Sequence, residues 1–168
     1  TYGFLPSKCE EYLPEKYEYL QYFLDYNLKH PVKKFREYIE NYNFEPNSQK
    51  LNLEDYTLAE IQKIYSVTSI LSHIYLELEE PKLQKLPYCL SLPWYESSQL
   101  LGLPCVLTHS AIDVYNWRLR DNKNPFHLEN IESINLAFSE PNVRKSEEGF
   151  YTSMIAIEGE CGPIIYYM

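Results

Sequence analysis

Hydrophobic positions recur with helical spacing through most of this chain. Pro14 can open a helix, because its missing N–H is one of the donors that a first turn leaves unpaired anyway. Tyr17, Leu20, Phe23 and Leu24 then repeat on one face, which predicts a helix over residues 14–28 that His30-Pro31 ends. Phe35, Tyr38 and Ile39 predict a second, short helix over 32–42, before a polar break over 43–50 that contains Glu45-Pro46-Asn47. The strongest start signal is Thr57 with Glu60. The threonine hydroxyl can accept the third amide of the helix while the glutamate reaches back to the cap amide. Ile61, Ile64, Tyr65, Thr68, Leu71, Tyr75 and Leu78 continue as a stripe, so a helix should run to about residue 79, where Pro81 stops it.

Downstream the pattern is more broken. Pro87, Pro93, Gly102 and Pro104 punctuate residues 87–104 and leave room for one short helix over 95–101. A further helix is expected over 106–119, a break over 121–125, and a stretch at 126–138 that is ambiguous between short strand and irregular structure. The last helix covers 147–157 and is open to extension past Gly159. It carries Phe150, Met154 and Ile157 on one face, with Tyr151 and Ile155 beside them, and Gly149 and Gly162-Pro163 blur its ends. No repeat, low-complexity segment or long linker divides the chain. The fold class predicted is mainly α: a single helical domain over residues 1–168 with a few irregular or short β segments. The apolar residues 164–168 lead to the expectation that more protein follows or that a partner covers them.

Composition narrows the class. At 168 residues and 45% hydrophobic content, a chain of this size buries roughly 70% of the surface its unfolded form exposes, enough for a core without staples. Cys9, Cys89, Cys105 and Cys161 lack the close pairing that a zinc or iron–sulfur site needs, and read as buried, reduced thiols. No run approaches ~18 apolar residues and the start has neither a basic nor an apolar signal region, so a soluble cytoplasmic protein is expected. A net charge of -9 argues against nucleic acid and anionic membrane as partners. The small basic cluster Lys33, Lys34 and Arg36 reads as a solvated helix face. Seventeen tyrosines and seven phenylalanines could stack on bases or sugars, but without a positive groove they read as core and half-exposed packing.

Catalytic motifs are missing: there is no GxSxG, HExxH, GxGxxG or GxxxxGK[ST]. The paired glutamates Glu10-Glu11, Glu79-Glu80 and Glu147-Glu148 lie at element ends and read as solvated. His109 stands out within the small and apolar segment 106–112, where a neutral imidazole could face a ligand. The plainer reading is a buried histidine satisfied by a backbone carbonyl or by Thr108 or Ser110. His73 and Glu77 read as a surface pair, and His30 and His127 sit at loop boundaries. Phe150, Tyr151 and Met154 read most simply as core residues on a buried stripe.

The ordered series LGLPCVLTHSAIDVYNWRLRD, NPFHLENI, EGFYTSMIAIEG and CGP between Leu100 and Pro163 resembles the indoleamine 2,3-dioxygenase family, heme enzymes that open the indole ring of tryptophan. The opening GFLP, the long central helix and the LPYCLSLP stretch give weaker support. The likeness is to the family's small N-terminal domain, which roofs the distal side of the heme. The resemblance implies heme b as cofactor, an iron-ligating histidine in a C-terminal domain that nothing here matches, and no metal ligand in this chain. It implies a helix along the distal face from LGLPCVLTHSAIDVYNW. The family commonly has an aromatic residue in place of His109, while Ile112 and Asp113 match positions bordering the indole pocket. Phe150 and Tyr151 match paired aromatics that pack on the indole. Met154 stands where the family has a serine or histidine near substrate and oxygen. A thioether donates no hydrogen bond, so either Ser153 takes that role in a register shifted by one, or tryptophan binding is altered or lost.

The function implied is conversion of tryptophan to N-formylkynurenine, with tryptophan or a related indoleamine, dioxygen, and a C-terminal heme domain or partner chain as partners. The alternative is a non-catalytic relative acting as a structural or interaction subunit, and a third reading is a heme protein that stores oxygen.

Overall fold

The capping box at Thr57 closes as its spacing predicts. The Thr57 hydroxyl accepts the Glu60 amide at 3.2 Å while the Glu60 carboxylate accepts the Thr57 amide at 2.8 Å. In this computed structural model, which describes residues 3–30, 34–45, 50–123, 126–138 and 140–166 except the side chains of residues 163, 165 and 166, the chain is mainly helical. After a 3-10 turn at Glu15–Tyr17 come α1 (Glu18–Lys29), α2 (Phe35–Glu40), α3 (Leu58–Glu77), α4 (Tyr88–Leu101) and α5 (Pro141–Tyr166). Between α4 and α5 lie a π-helical turn at Ser110–Val114 and the strands β1 (Trp117–Leu119) and β2 (Ile131–Ser133). The strands pair antiparallel, with Arg118 opposite Glu132.

The amphipathic stripe predicted for α3 underestimates its burial. Lys63, Ser66, Ser69 and Ser72 on its other sides are enclosed as fully as Ile61, Ile64 and Leu71, so α3 is the central helix, packed against α1, α4 and the π-helical turn. Burial pushes the Lys63 ammonium down to about 8. The main core gathers around α1 and α3. A second cluster, which includes Leu5, Cys9, Val114, Trp117, Ile131, Tyr151 and Ile155, joins the N-terminal segment and the strands to α5.

Several expectations are corrected. The second helix is shorter than 32–42, while Val32 and Lys33 lie outside the described residues. Arg36 belongs to no solvated face: it is 8% exposed, and its guanidinium donates to the carbonyls of Tyr75, Leu76, Glu79 and Pro81, capping the end of α3. α4 begins at Tyr88 rather than near 95 and runs through Pro93. Proline removes the amide that would bond the Cys89 carbonyl one turn back. The Tyr19 hydroxyl from α1 donates to that carbonyl instead, at 2.9 Å, so a tertiary contact replaces the missing helical bond. Gly102, at φ 66, ends α4 in the left-handed conformation.

The helix expected over 106–119 does not form. The chain leading into it and its own backbone are anchored to α3: the Tyr65 hydroxyl donates to the Pro104 carbonyl at 3.0 Å and the Ser66 hydroxyl to the Ala111 carbonyl at 2.6 Å. Only the π-helical turn remains, and residues 117–119 become β1. The ambiguity at 126–138 resolves as β2 in a largely irregular segment. α5 is longer at both ends than 147–157. Gly159 sits where the Phe126 ring closes on the helix, so a side chain there would collide with it. Cys9 and Cys89 are buried as expected, Cys105 is exposed and Cys161 intermediate, all as free thiols. Among the described residues no group of histidine, cysteine, aspartate and glutamate could hold a metal ion, and no helix is long and apolar enough to cross a membrane.

Candidate functional site

The π-helical turn with its preceding residue His109, and the middle of α5, carry the six residues singled out by sequence, and the two elements pack on each other. The turn is held from three directions. Ser66 holds Ala111 from α3. Thr108, whose hydroxyl lies 3.1 Å from that of Tyr65, accepts the Ala111 amide. Buried Asn116 donates to the carbonyls of Ile112 and Asn135 at 3.0 and 2.9 Å and accepts the Asn135 amide at 2.8 Å, tying the turn to the segment after β2. A side chain on this turn is therefore fixed by buried polar contacts.

On α5, Glu147 sets the register. It is 7% exposed, which corrects its reading as a solvated end-of-element carboxylate. It accepts the amides of Ala137 and Phe138 at 2.7 and 3.1 Å and the Tyr151 hydroxyl at 2.9 Å. Tyr151 is thereby core, packed in the cluster with Ile155 and Trp117, and burial together with the adjacent Glu147 pushes its phenol well up from its ordinary value. Phe150 faces the other way. It is 56% exposed, as is Ile157, which corrects the simpler reading of these aromatics as one buried stripe. Met154 is half-buried one turn beyond Phe150 on the same side. Ser153 is exposed, donates to the Gly149 carbonyl at 2.7 Å and lines a shallow hollow with Arg120, Leu128 and Thr152.

His109 is the largest correction. It is exposed rather than buried, and its side chain leans on carboxylates rather than on Thr108, Ser110 or a carbonyl. Nδ1 lies 2.8 Å from Oδ2 of Asp113, whose side chain is fully buried, and Nε2 lies 3.7 Å from Oε1 of Glu158 on α5. Beyond that proximity to His109, neither Asp113 oxygen has a hydrogen-bond partner among the described residues. Burial raises its carboxyl to about 6, against the opposing pull of His109 and with a further push from Glu158. Ile112 is half-buried between the two clusters. Sequence reasoning gave Glu158 no role, since nothing local links it to His109.

The remaining histidines carry no site. His73 is exposed, and the ion-pair partner of Glu77 is Lys82 at 3.0 Å rather than His73. His127 caps a short 3-10 turn by accepting the Glu129 amide.

The profile of the family described as indoleamine 2,3-dioxygenase matches residues 1–168. Indoleamine 2,3-dioxygenase 2 of Mus musculus is 27% identical over 139 residues, which cover 79% of this chain and 32% of that protein. The 6-hydroxytryptophan 2,3-dioxygenase fscD of Fusarium equiseti is 34% identical over 110 residues, 65% of this chain and 26% of that protein. Indoleamine 2,3-dioxygenase of Saccharomyces cerevisiae is 28% identical over 81 residues, 45% of this chain and 18% of that protein. The chain belongs to the indoleamine 2,3-dioxygenase family. It spans about a third or less of the length of these relatives.

Proposed function

We propose that this chain is the N-terminal, distal-side domain of a heme-dependent dioxygenase that opens the indole ring of tryptophan or a related indoleamine to an N-formylkynurenine. The observation that carries the reading is the side of α5 on which Phe150 and Ile157 stand exposed and Met154 half-exposed, beside a rigidly held turn, in a chain that matches the family from end to end.

Heme b suits this chain as a flat apolar neighbour. Phe150, Ile157 and Ile164 present apolar surface along α5. Heme bound in the complete protein supplies the activated dioxygen whose two atoms enter the indole C2–C3 bond. The chain's own residues do the rest of the work on this side. Phe150 stacks on the indole, Met154 and Ile112 fill the space around it, and together they exclude water. Tyr151 and Glu147 contribute by fixing the helix that carries Phe150. Iron ligation falls to the C-terminal part of the protein or to a partner chain. The four free thiols are in keeping with a reducing, cytoplasmic setting.

Loading the complete protein with hemin tests the reading. A Soret band and tryptophan-dependent formylkynurenine are expected, and a full-length protein that takes up no heme overturns it. A second reading, a non-catalytic structural or interaction subunit, rests on Met154, which cannot donate a hydrogen bond where the family has a serine or histidine. Heme uptake with tryptophan binding but no turnover favours that reading.

A further inference from the structure

A half-open cleft of about 270 Å³ lies between the 3-10 turn, α1, the segment after α2 and α4, with no lining residue on α5 or the π-helical turn. Aromatic rings form its walls: Tyr17 from the 3-10 turn, Tyr19 from α1, and Tyr42 and Phe44 from the segment after α2. These rings brace one another. Tyr19 stacks on Tyr42 with centroids 5.5 Å apart and meets Phe44 at the same distance, while Tyr56 packs edge-on against Tyr17 at 5.8 Å. Burial pushes the Tyr17 and Tyr19 phenols up from their ordinary value, so both stay neutral. A neutral ring keeps the electron-rich face that attracts a cation.

Glu96 of α4 gives the cleft its counter-charge. It is 9% exposed; among the described residues its hydrogen bond comes from the Leu51 amide, at 3.1 Å, and no ion pair reaches it. An enclosed carboxylate without a cationic partner is costly to keep, and a guest cation supplies that partner. Lys16 shows that a ring here accepts positive charge, since its ammonium stands 5.4 Å from the Tyr17 centroid. Exposed Glu45 adds a second carboxylate, so acidic groups outnumber Lys16 in the lining. We propose that this cleft is a binding site for a methylated ammonium head group, held against the aromatic walls with its charge balanced by Glu96. A primary ammonium must hand three N–H donors to acceptors, whereas a fully methylated one needs none and sheds its water at lower cost against aromatic carbon. Walls built of rings, Leu92 and Pro93 suit the second.

Isothermal titration of the complete protein with choline, and with dimethylbutanol as its neutral isostere, tests the site. Choline is expected to bind about tenfold more tightly than the isostere, the gain that a cation–π contact and a counter-charge provide. Two substitutions should each remove most of that difference with little change in the urea midpoint. They are Glu96→Gln, which keeps an acceptor for the Leu51 amide, and Tyr42→Leu, at a ring that is 39% exposed. Lys16→Met should tighten choline binding, because it takes a competing cation off the Tyr17 ring. The comparison of the two ligands on the unsubstituted chain holds whatever the variants do to folding. Equal affinity for choline and its isostere, binding of neither, or weaker choline binding in Lys16→Met overturns the proposal and leaves the indole-cleaving reading untouched.

Discussion

Phe150 and Tyr151 are neighbours in sequence with opposite environments, and truncating each in turn separates a ligand-facing ring from a core ring. Full burial of a phenylalanine side chain is worth about 1.5–3 kcal/mol. More than half of the Phe150 ring remains in water at 56% exposure. Among the described residues its ring contact is a tilted approach to Tyr151 with centroids 6.0 Å apart. Phe150→Ala should therefore destabilise the chain by about 1 kcal/mol, a fall in Tm of about 2–4 °C for a domain of this size. Tyr151 is 7% exposed, and its hydroxyl is one of three donors to the buried Glu147 carboxylate. Tyr151→Ala leaves a cavity worth about 3–5 kcal/mol and strips a donor from that carboxylate besides. Urea denaturation of both variants measures the contrast. In the complete protein Phe150→Ala should raise the tryptophan KM or lower kcat despite its small effect on folding. If Phe150→Ala proves as destabilising as Tyr151→Ala, or leaves both kinetic constants unchanged, Phe150 is not the exposed ring on which this reading depends.

Three further outcomes are expected. Tyr19→Phe leaves the Cys89 carbonyl without its donor and should lower stability by about 1–3 kcal/mol. In a Pro93→Ala background, where an amide again reaches that carbonyl, the loss should shrink by about 1 kcal/mol, and a double-mutant cycle in urea measures the difference. Asp113 is raised from 3.8 to about 6. Between those values the unfolded chain releases a proton that the folded chain keeps, so this group's contribution is full below pH 4 and is lost as pH rises to about 6. Asp113→Asn should therefore gain on the wild type by about 2–3 kcal/mol across pH 4–6, and parallel stability curves in that window would refute the assignment. Met154→Ser should lower stability by about 1 kcal/mol, less than the ~2–5 kcal/mol of a fully buried methionine, because the side chain is only half enclosed. It should tighten tryptophan binding by restoring a donor, which titration of the complete protein measures.

Much of the helical architecture was legible because its signals are local. The Thr57–Glu60 box and the apolar spacing from Tyr17 to Leu24 each complete their meaning within a few residues, so α1 and α3 appear close to where the sequence places them. The His109–Asp113 pair was also within reach, being four residues apart on one turn. The family, too, was readable from the ordered motifs that begin at Leu100.

Tertiary structure decided the rest, wherever a backbone group or charge found its partner far along the chain. Pro93 should break a helix by its own chemistry, yet α4 passes through it because Tyr19 supplies the missing donor. The stretch 106–119 has helical spacing, yet hydroxyls on α3 and pairing with β2 claim its backbone. Arg36 looked solvent-facing until the carbonyls at the end of α3 surrounded it. Periodicity placed Phe150 and Tyr151 side by side on α5 but could not say which would face inward. That followed from Glu147, whose carboxylate gathers the amides of Ala137 and Phe138 with the Tyr151 hydroxyl and so turns Phe150 outward.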